Sequence, residues 1–271
     1  MFYSLSDTTT MRIRSPTKKT IFLLKYLFHC DIVINMNDKS KLKNSVEQKK
    51  SKIIVFANVK GGTGKSCLAA LFCSYLHEMG MPVMLIDADI QQTVKRHRER
   101  ELSENPGVTP SWSIESFNTS DTEYITRAMK TLKQLPACIV IDCPGNINDQ
   151  ALRHIFTAAD ICVSPVRYDS DNLDATLMFA KMFKNISRAR MFFIPNSIVL
   201  IEERREEIQK ARDSAVRILK PYGDVTARIK QSVVIKCYST ISPLERCQHN
   251  AVMYAFNPIV EYIKTLENEE E

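Results

Sequence analysis

Three of the chain's seven glycines fall within one short stretch, Lys60-Gly61-Gly62-Thr63-Gly64-Lys65-Ser66. Residues of these types at this spacing can hold phosphate. Glycine lets backbone N–H groups turn toward an anion with no Cβ in the way. A lysine directly after the last glycine reaches the β- and γ-phosphates of a nucleotide, and the serine after it offers a hydroxyl to Mg²⁺. A helix that follows such a loop aims its positive end at the same charge. The candidate cradle is therefore Gly61, Gly62, Thr63, Gly64, Lys65 and Ser66, with Cys67 next along the helix.

Two apolar runs end in acids. Leu85-Ile86 leads into Asp87-Ala88-Asp89-Ile90-Gln91-Gln92, and Cys138-Ile139-Val140-Ile141 leads into Asp142-Cys143-Pro144-Gly145. In an open α/β sheet, ligands lie beyond the carboxyl ends of the strands. These acids are thus delivered to the side of the sheet that carries the glycine loop. An apolar strand followed by Asp is the arrangement in which a carboxylate holds a Mg²⁺-bound water beside the loop serine, and Asp142 takes that place. A third strand end, Phe193-Ile194-Pro195, delivers Asn196.

The elements that must position these groups are legible as alternating periods. Continuous apolar runs predict strands over Ile53–Ala57, Pro82–Ile86, Trp112–Phe117, Ala137–Ile141, Ile161–Val166, Met191–Ile194 and Val225–Ile229. Helical periods predict helices over Lys65–Met79, Asp121–Gln134, Asn148–Ala158, Asn172–Ile186, Glu202–Leu219 and Ala251–Leu266. Strands that are apolar throughout are covered on both faces. The expected fold is α/β, a single doubly wound, mostly parallel sheet with helices on both faces. The domain boundaries expected are a basic leader over 1–50, the main domain over 51–266 and an acidic tail over 267–271.

Charge excludes a simple reading of the chain as a basic nucleic-acid binder. The net charge is +6, but the first fifty residues hold ten Lys/Arg against four Asp/Glu, and the rest holds 27 of each. Within the leader, Ile21–Ile34 is too short and too interrupted by Lys25, His29 and Asp31 to span a bilayer. No small-residue cleavage site follows it. Residues 1–35 read as upstream sequence ahead of a working start at Met36, the alternative being a basic arm for an acidic partner. The eight cysteines are scattered singly, without metal or redox spacing, which fits a reducing compartment.

The glycine loop departs from the usual pattern in a particular way. Val59 stands where the first glycine is usual, and Lys60 is an added cation. In this the stretch resembles the deviant phosphate loop of the ParA/MinD superfamily of ATPases, and the Asp87-Ala88-Asp89-Ile90-Gln91-Gln92 run resembles that family's second motif. The resemblance covers about Ser51–Ile263. The double Gln and the Asp142-Cys143-Pro144-Gly145-Asn146 stretch look closest to ParA-like proteins carried on mobile or conjugative elements. It implies ATP and Mg²⁺ as ligands, and catalytic roles for Lys60, Lys65 and Asp89. Lys60 would act across a homodimer on the partner's nucleotide, Asp89 would orient the attacking water, and Asp87 would support the Mg²⁺ shell with Ser66 and Asp142. Pro144-Gly145 would open a loop that senses the γ-phosphate, and Asn196 would pair with the adenine edge. Cys67 replaces a threonine that touches the α-phosphate in relatives, and Ile90 replaces a more usual proline.

The function so implied is an ATP-driven dimerisation switch that hydrolyses ATP slowly, is stimulated by a ParB-like adaptor, and positions DNA through non-specific contacts. The expected localisation is cytoplasmic, and at the nucleoid when ATP is bound. The alternatives are an ATP-dependent small-molecule synthetase on the same fold and a MinD-like membrane-associated positioning ATPase. Against the latter, the closing helix is followed by acids, which an anionic membrane repels. No membrane partner is expected. The basic residues of Glu202–Leu219 alternate with glutamates at i,i+4 spacing and read as a solvated, ion-paired helix.

Overall fold

Four strands are buried along their whole length and form the middle of one sheet: β1 (Lys52–Phe56), β2 (Val83–Asp87), β4 (Cys138–Asp142) and β5 (Ile161–Val166). β6 (Arg190–Pro195) is buried apart from its first residue. The edges are β3 (Ser113–Ser116), half-buried, and the two-residue β7 (Asp224–Val225). The computed structural model describes residues 50–117, 119–146, 150–199 and 204–268. The expectations for the leader up to residue 49, the helix starts at Asn148 and Glu202 and the end of the acidic tail lie outside them. The strand order is β3-β2-β4-β1-β5-β6-β7, and every pairing is parallel.

Parallel strands need crossovers, and helices supply them. α1 (Lys65–Glu78) follows β1, α2 (Thr93–Glu104) follows β2, α3 (Thr122–Leu132) follows β3 and α4 (Gln150–Ala158) follows β4. α5 (Ser170–Ile186), α6 (Glu206–Leu219), the short α7 (Val233–Lys236) and α8 (Arg246–Asn268) complete the order. Ten of the fourteen residues of α1 are buried, because it lies in a core shared with alternate strand residues such as Ile54, Phe56, Leu85 and Val140 and with Phe256 and Ile259 of α8. A helix apolar on every side is one enclosed on every side. On α4 and α5, Phe156, Phe179 and Phe183 form a separate aromatic cluster.

The expected fold stands, with three corrections to its elements. The last strand covers Asp224–Val225 only, and the residues after it follow β6 through separate backbone bonds, Thr226 N–H to the Phe193 carbonyl at 2.9 Å and Ile229 N–H to the Pro195 carbonyl at 2.7 Å, and through an isolated bridge between Ile198 and Lys230. α8 begins at Arg246, five residues before the apolar period that announced it. α2 was not anticipated at all. Its sequence is almost wholly polar, and only Val94 and Arg98 are buried. On α6, Lys210 pairs with Glu206 at 2.6 Å, the i,i+4 spacing expected, whereas Arg212 pairs with its neighbour Asp213 at 2.9 Å.

α2 is held in place by polar contacts instead of an apolar stripe. Arg98 lies over the Trp112 ring at 4.5 Å. Its guanidinium donates to the Trp112 carbonyl at 2.9 Å and to the Thr240 hydroxyl and carbonyl at 2.9 and 2.5 Å. Glu101 accepts the Thr240 N–H at 2.8 Å and also its hydroxyl, and His97 stacks on Tyr238 at 4.7 Å. Buried carbonyls that lose a donor pay their full desolvation. Arg98→Ala is expected to cost about 3 kcal/mol, read as a lowered urea midpoint, with Arg98→Lys recovering only part because one ammonium cannot reproduce the planar fork.

Candidate functional site

β1 leaves the sheet at Ala57, whose N–H makes the last ladder bond, to the Val163 carbonyl at 3.0 Å. The glycine loop follows and runs straight into α1. Gly62 has φ +74° and Gly64 φ +97°, a left-handed backbone that residues with a Cβ avoid. Gly64 is also the N-cap of α1, with no side-chain cap, so the first N–H groups of the helix are left to an outside acceptor. At Gly61 and Gly62 a Cβ would meet nothing within 4 Å. Packing within the chain does not demand glycine at Gly61.

Lys65 is buried, and its ammonium donates to the Lys60 carbonyl at 3.3 Å, where the Thr63 hydroxyl also donates at 3.4 Å. Burial lowers the Lys65 pKa, against the attraction of Asp142 and Asp89. Asp142, at the end of β4, is 1% exposed, and neither carboxylate oxygen finds a well-formed hydrogen bond. Burial pushes its carboxyl up to about 7; the Ser66 hydroxyl and the Lys65 ammonium oppose that rise, and the charges of Asp87 and Asp89 add to it. An interior carboxylate without a well-formed hydrogen bond, beside a serine hydroxyl and a glycine loop, suits a hard divalent cation. Ser66 and Asp142 are the residues that would hold Mg²⁺ with a nucleotide.

Asp87 is placed differently. It lies in register with Asp142 on the neighbouring strand, yet its carboxylate accepts from the N–H groups of Val94 at 3.0 Å, Lys95 at 3.1 Å and Asp89 at 3.3 Å. It therefore caps α2 from the preceding strand. Burial raises its pKa, and those three backbone bonds lower it. Asp89 is half-buried in the following turn, with one oxygen accepting the Gln91 N–H at 2.9 Å. No other hydrogen bond to its carboxylate comes from a described residue.

Two further expected residues turn inward. Asn196 is 4% exposed and donates its amide to the Thr63 carbonyl at 2.8 Å, while its Oδ1 is buried without a partner. Cys67 donates its thiol to the Ile235 carbonyl of α7 at 3.0 Å, and burial raises its pKa to about 12. Cys67 thus tethers the loop helix to the C-terminal segment. Lys60 is half-exposed, and its ammonium meets no hydrogen-bond or ion-pair partner among the described residues. The reading from sequence passed over Asn58, which is wholly buried and bonded to the Lys60 N–H. An Asn straight after an apolar run was the available signal, since Asn is depleted in strands and favours turns.

A family model described as ATPase MipZ matches residues 52–177, a span that holds the glycine loop and all three carboxylates. Over 125 residues the chain is 26% identical to Protein ParA of Rhizobium radiobacter, in a match covering 46% of this chain and 52% of that one. Together these matches support a place in the ParA/MinD superfamily of P-loop ATPases. It spans about half the length of the curated relatives it matches. Two solved superfamily members share its fold. McdA of Cyanothece, in a complex with ATP, superposes with a TM-score of 0.61 at 15% identity, covering 79% of this chain and 96% of that one. MinD of Aquifex aeolicus does so with a TM-score of 0.61 at 18% identity, covering 78% and 97%. Among the described residues no His/Cys/Asp/Glu cluster forms a metal centre, the seven cysteines are free, and no helix is long and apolar enough to cross a membrane.

A Cβ on Gly64 would stand 2.3 Å from the Asn196 amide nitrogen. Gly64→Ala is expected to abolish nucleotide binding in a fluorescence titration, and Gly64→Ala with Asn196→Ala to stay defective, because the left-handed backbone alone costs about 1–2 kcal/mol. Asp142 sets a pH dependence in chelator-treated protein. Its folded pKa of about 7 lies above its ordinary 3.8, so between those values the folded state holds a proton the unfolded state has lost. Stability then falls as pH rises from 3.8 through about 7. Asp142→Asn is expected to flatten that fall in urea titrations run across the range.

Proposed function

We propose that this protein binds ATP with Mg²⁺ and hydrolyses it slowly, and that ATP drives two copies into a dimer that partitions or positions DNA. The observation that carries the reading is the unlike placement of two lysines on one loop. Lys65 is buried and turned in toward the loop's own carbonyl, whereas Lys60 is half-exposed with no partner for its ammonium among the described residues. A cation so placed gains most from a phosphate supplied by a second copy facing the same loop.

In this reading each group has its own part. The glycine-loop N–H groups and the N-terminus of α1 hold the phosphates, and Lys65 neutralises charge on them from within the same copy. Mg²⁺, when bound, adds a compact positive charge at the β- and γ-phosphates. Asp89 accepts a hydrogen bond from the attacking water, aims it at the γ-phosphate and holds its proton. Lys60 neutralises the transferring group from the other copy, as an arginine finger does. Asn196 offers its unpartnered Oδ1 to the amino group of adenine.

Phosphate contacts of the dimer with DNA carry no base information, which suits a sequence-blind hold on a nucleoid from a cytoplasmic pool. A ParB-like adaptor on the cargo would set the timing of release. Lys60→Ala is expected to bind ATP and fail to dimerise, and Asp89→Ala to dimerise and stay dimeric with turnover near zero, both read by sedimentation with Mg-ATP. A Lys60→Ala variant that dimerises like the wild type, or an Asp89→Ala variant with normal turnover, overturns the reading. Duplex DNA of random sequence should bind the trapped Asp89→Ala dimer and lose it steeply with added salt.

A further inference from the structure

The end of β1 is made by a side chain. From Ala57 the next backbone acceptor along the facing edge of β5 is the Pro165 carbonyl, because residues two apart in a strand present their polar groups to the same neighbour. No backbone N–H of β1 reaches it. The Asn58 amide does, donating to the Pro165 carbonyl at 2.9 Å and to the Thr176 hydroxyl of α5 at 2.8 Å. The Asn58 Oδ1 then accepts the Lys60 N–H at 3.1 Å, closing an Asx turn.

The chemistry allows this arrangement in one sense only. Thr176 gives its own proton to the Asn172 carbonyl at 2.7 Å, so it has only lone pairs to offer Asn58. Rotating the amide by half a turn would set oxygen against oxygen at both Thr176 and Pro165 and nitrogen against N–H at Lys60. Asn58 is 0% exposed, and its two donors and its acceptor are all used. Pro165 belongs to the same device. A proline inside a sheet forfeits a ladder bond, yet here its missing N–H faces the edge that β1 has already left.

Resting on the reading of Lys60 as the lysine that acts across the dimer, we infer that Asn58 is the residue that positions it. Asn58 fixes the Lys60 N–H from the sheet side, while Lys65 and Thr63 fix the Lys60 carbonyl from the loop side. The two peptides that flank the outward lysine are thereby each held, the first by Asn58 and the second by Thr63 even when Lys65 turns to phosphate, and the side chain leaves from a fixed base. Pre-set geometry matters most for a group that must meet phosphate on another molecule, where a displacement of about 1 Å can cost about a hundredfold.

The test measures affinity for a fluorescent ATP analogue, dimerisation in Mg-ATP, turnover and thermal midpoint for Asn58→Ala, Lys60→Ala and the double variant. Asn58→Ala is expected to keep its nucleotide affinity within about threefold while dimerisation and turnover fall about ten- to a hundredfold. In the Lys60→Ala background it should cause no further loss, because the two act as one unit. Parallel loss of affinity and turnover, or additive losses in the double variant, overturns the inference. Should Asn58→Ala not fold, Thr176→Val, which removes one anchor of the amide, is expected to lower turnover about three- to tenfold at unchanged affinity; unchanged turnover overturns the inference. Lys60→Ala that dimerises normally defeats both this inference and the reading beneath it. Lys60→Ala that fails beside an Asn58→Ala of wild-type behaviour defeats the positioning role alone.

Discussion

A carboxylate kept in the protein interior with too few well-placed donors is the constraint around which the rest is arranged. Taking such a group out of water is costly unless a charge or hydrogen bonds meet it. The parallel register between β2 and β4 sets Asp87 beside Asp142, so two such groups share one corner of the sheet. The chain resolves one of them internally, by giving Asp87 three backbone N–H groups, two of them from the start of α2. It leaves Asp142 with the Ser66 hydroxyl and the Lys65 ammonium as its favourable neighbours. Neighbouring acids at matched positions have thereby become a structural cap and a buried carboxylate with few partners.

Much of this was readable beforehand, for a stated reason. Strands buried on both faces are written as apolar runs, and β1, β2, β4, β5 and β6 fell where those runs are. The glycine loop was plain because few side-chain types tolerate its backbone. α2 was hidden because its contacts are made by Arg98 and Glu101 with the segment around Thr240, far along the chain. A helix fixed by ion and hydrogen-bond partners leaves no 3.6-residue apolar stripe to read. The individual duties of site residues were harder still. Asp87 looked like a metal-shell acid and is engaged as a cap. Cys67 stood at a phosphate-facing position and bonds α7. In both cases the partner is a backbone group whose place only the folded chain determines.

The same limitation explains why Asn58 escaped notice. Its three partners lie in the loop, in β5 and in α5, and no short motif spans them. What the sequence does carry is the oddity of Pro165 within a mostly apolar run. That proline is tolerable because β1 stops short of it, and the amide of Asn58 makes the contact a further strand residue would have made. The superfamily fold sets the loop's general location. The local hydrogen-bond chemistry sets the angle at which its outer lysine departs.

α2 has one more consequence. Asp87 grips its first turn and Arg98 its middle, and the Ala88 N–H is tied to the Asp142 carbonyl at 3.0 Å. Only Asp89, Ile90, Gln91 and Gln92 remain to change shape without tearing the helix loose, and Gln92 already sits at φ +47°. Within that stretch one large apolar side chain, Ile90, is turned to solvent, 85% exposed.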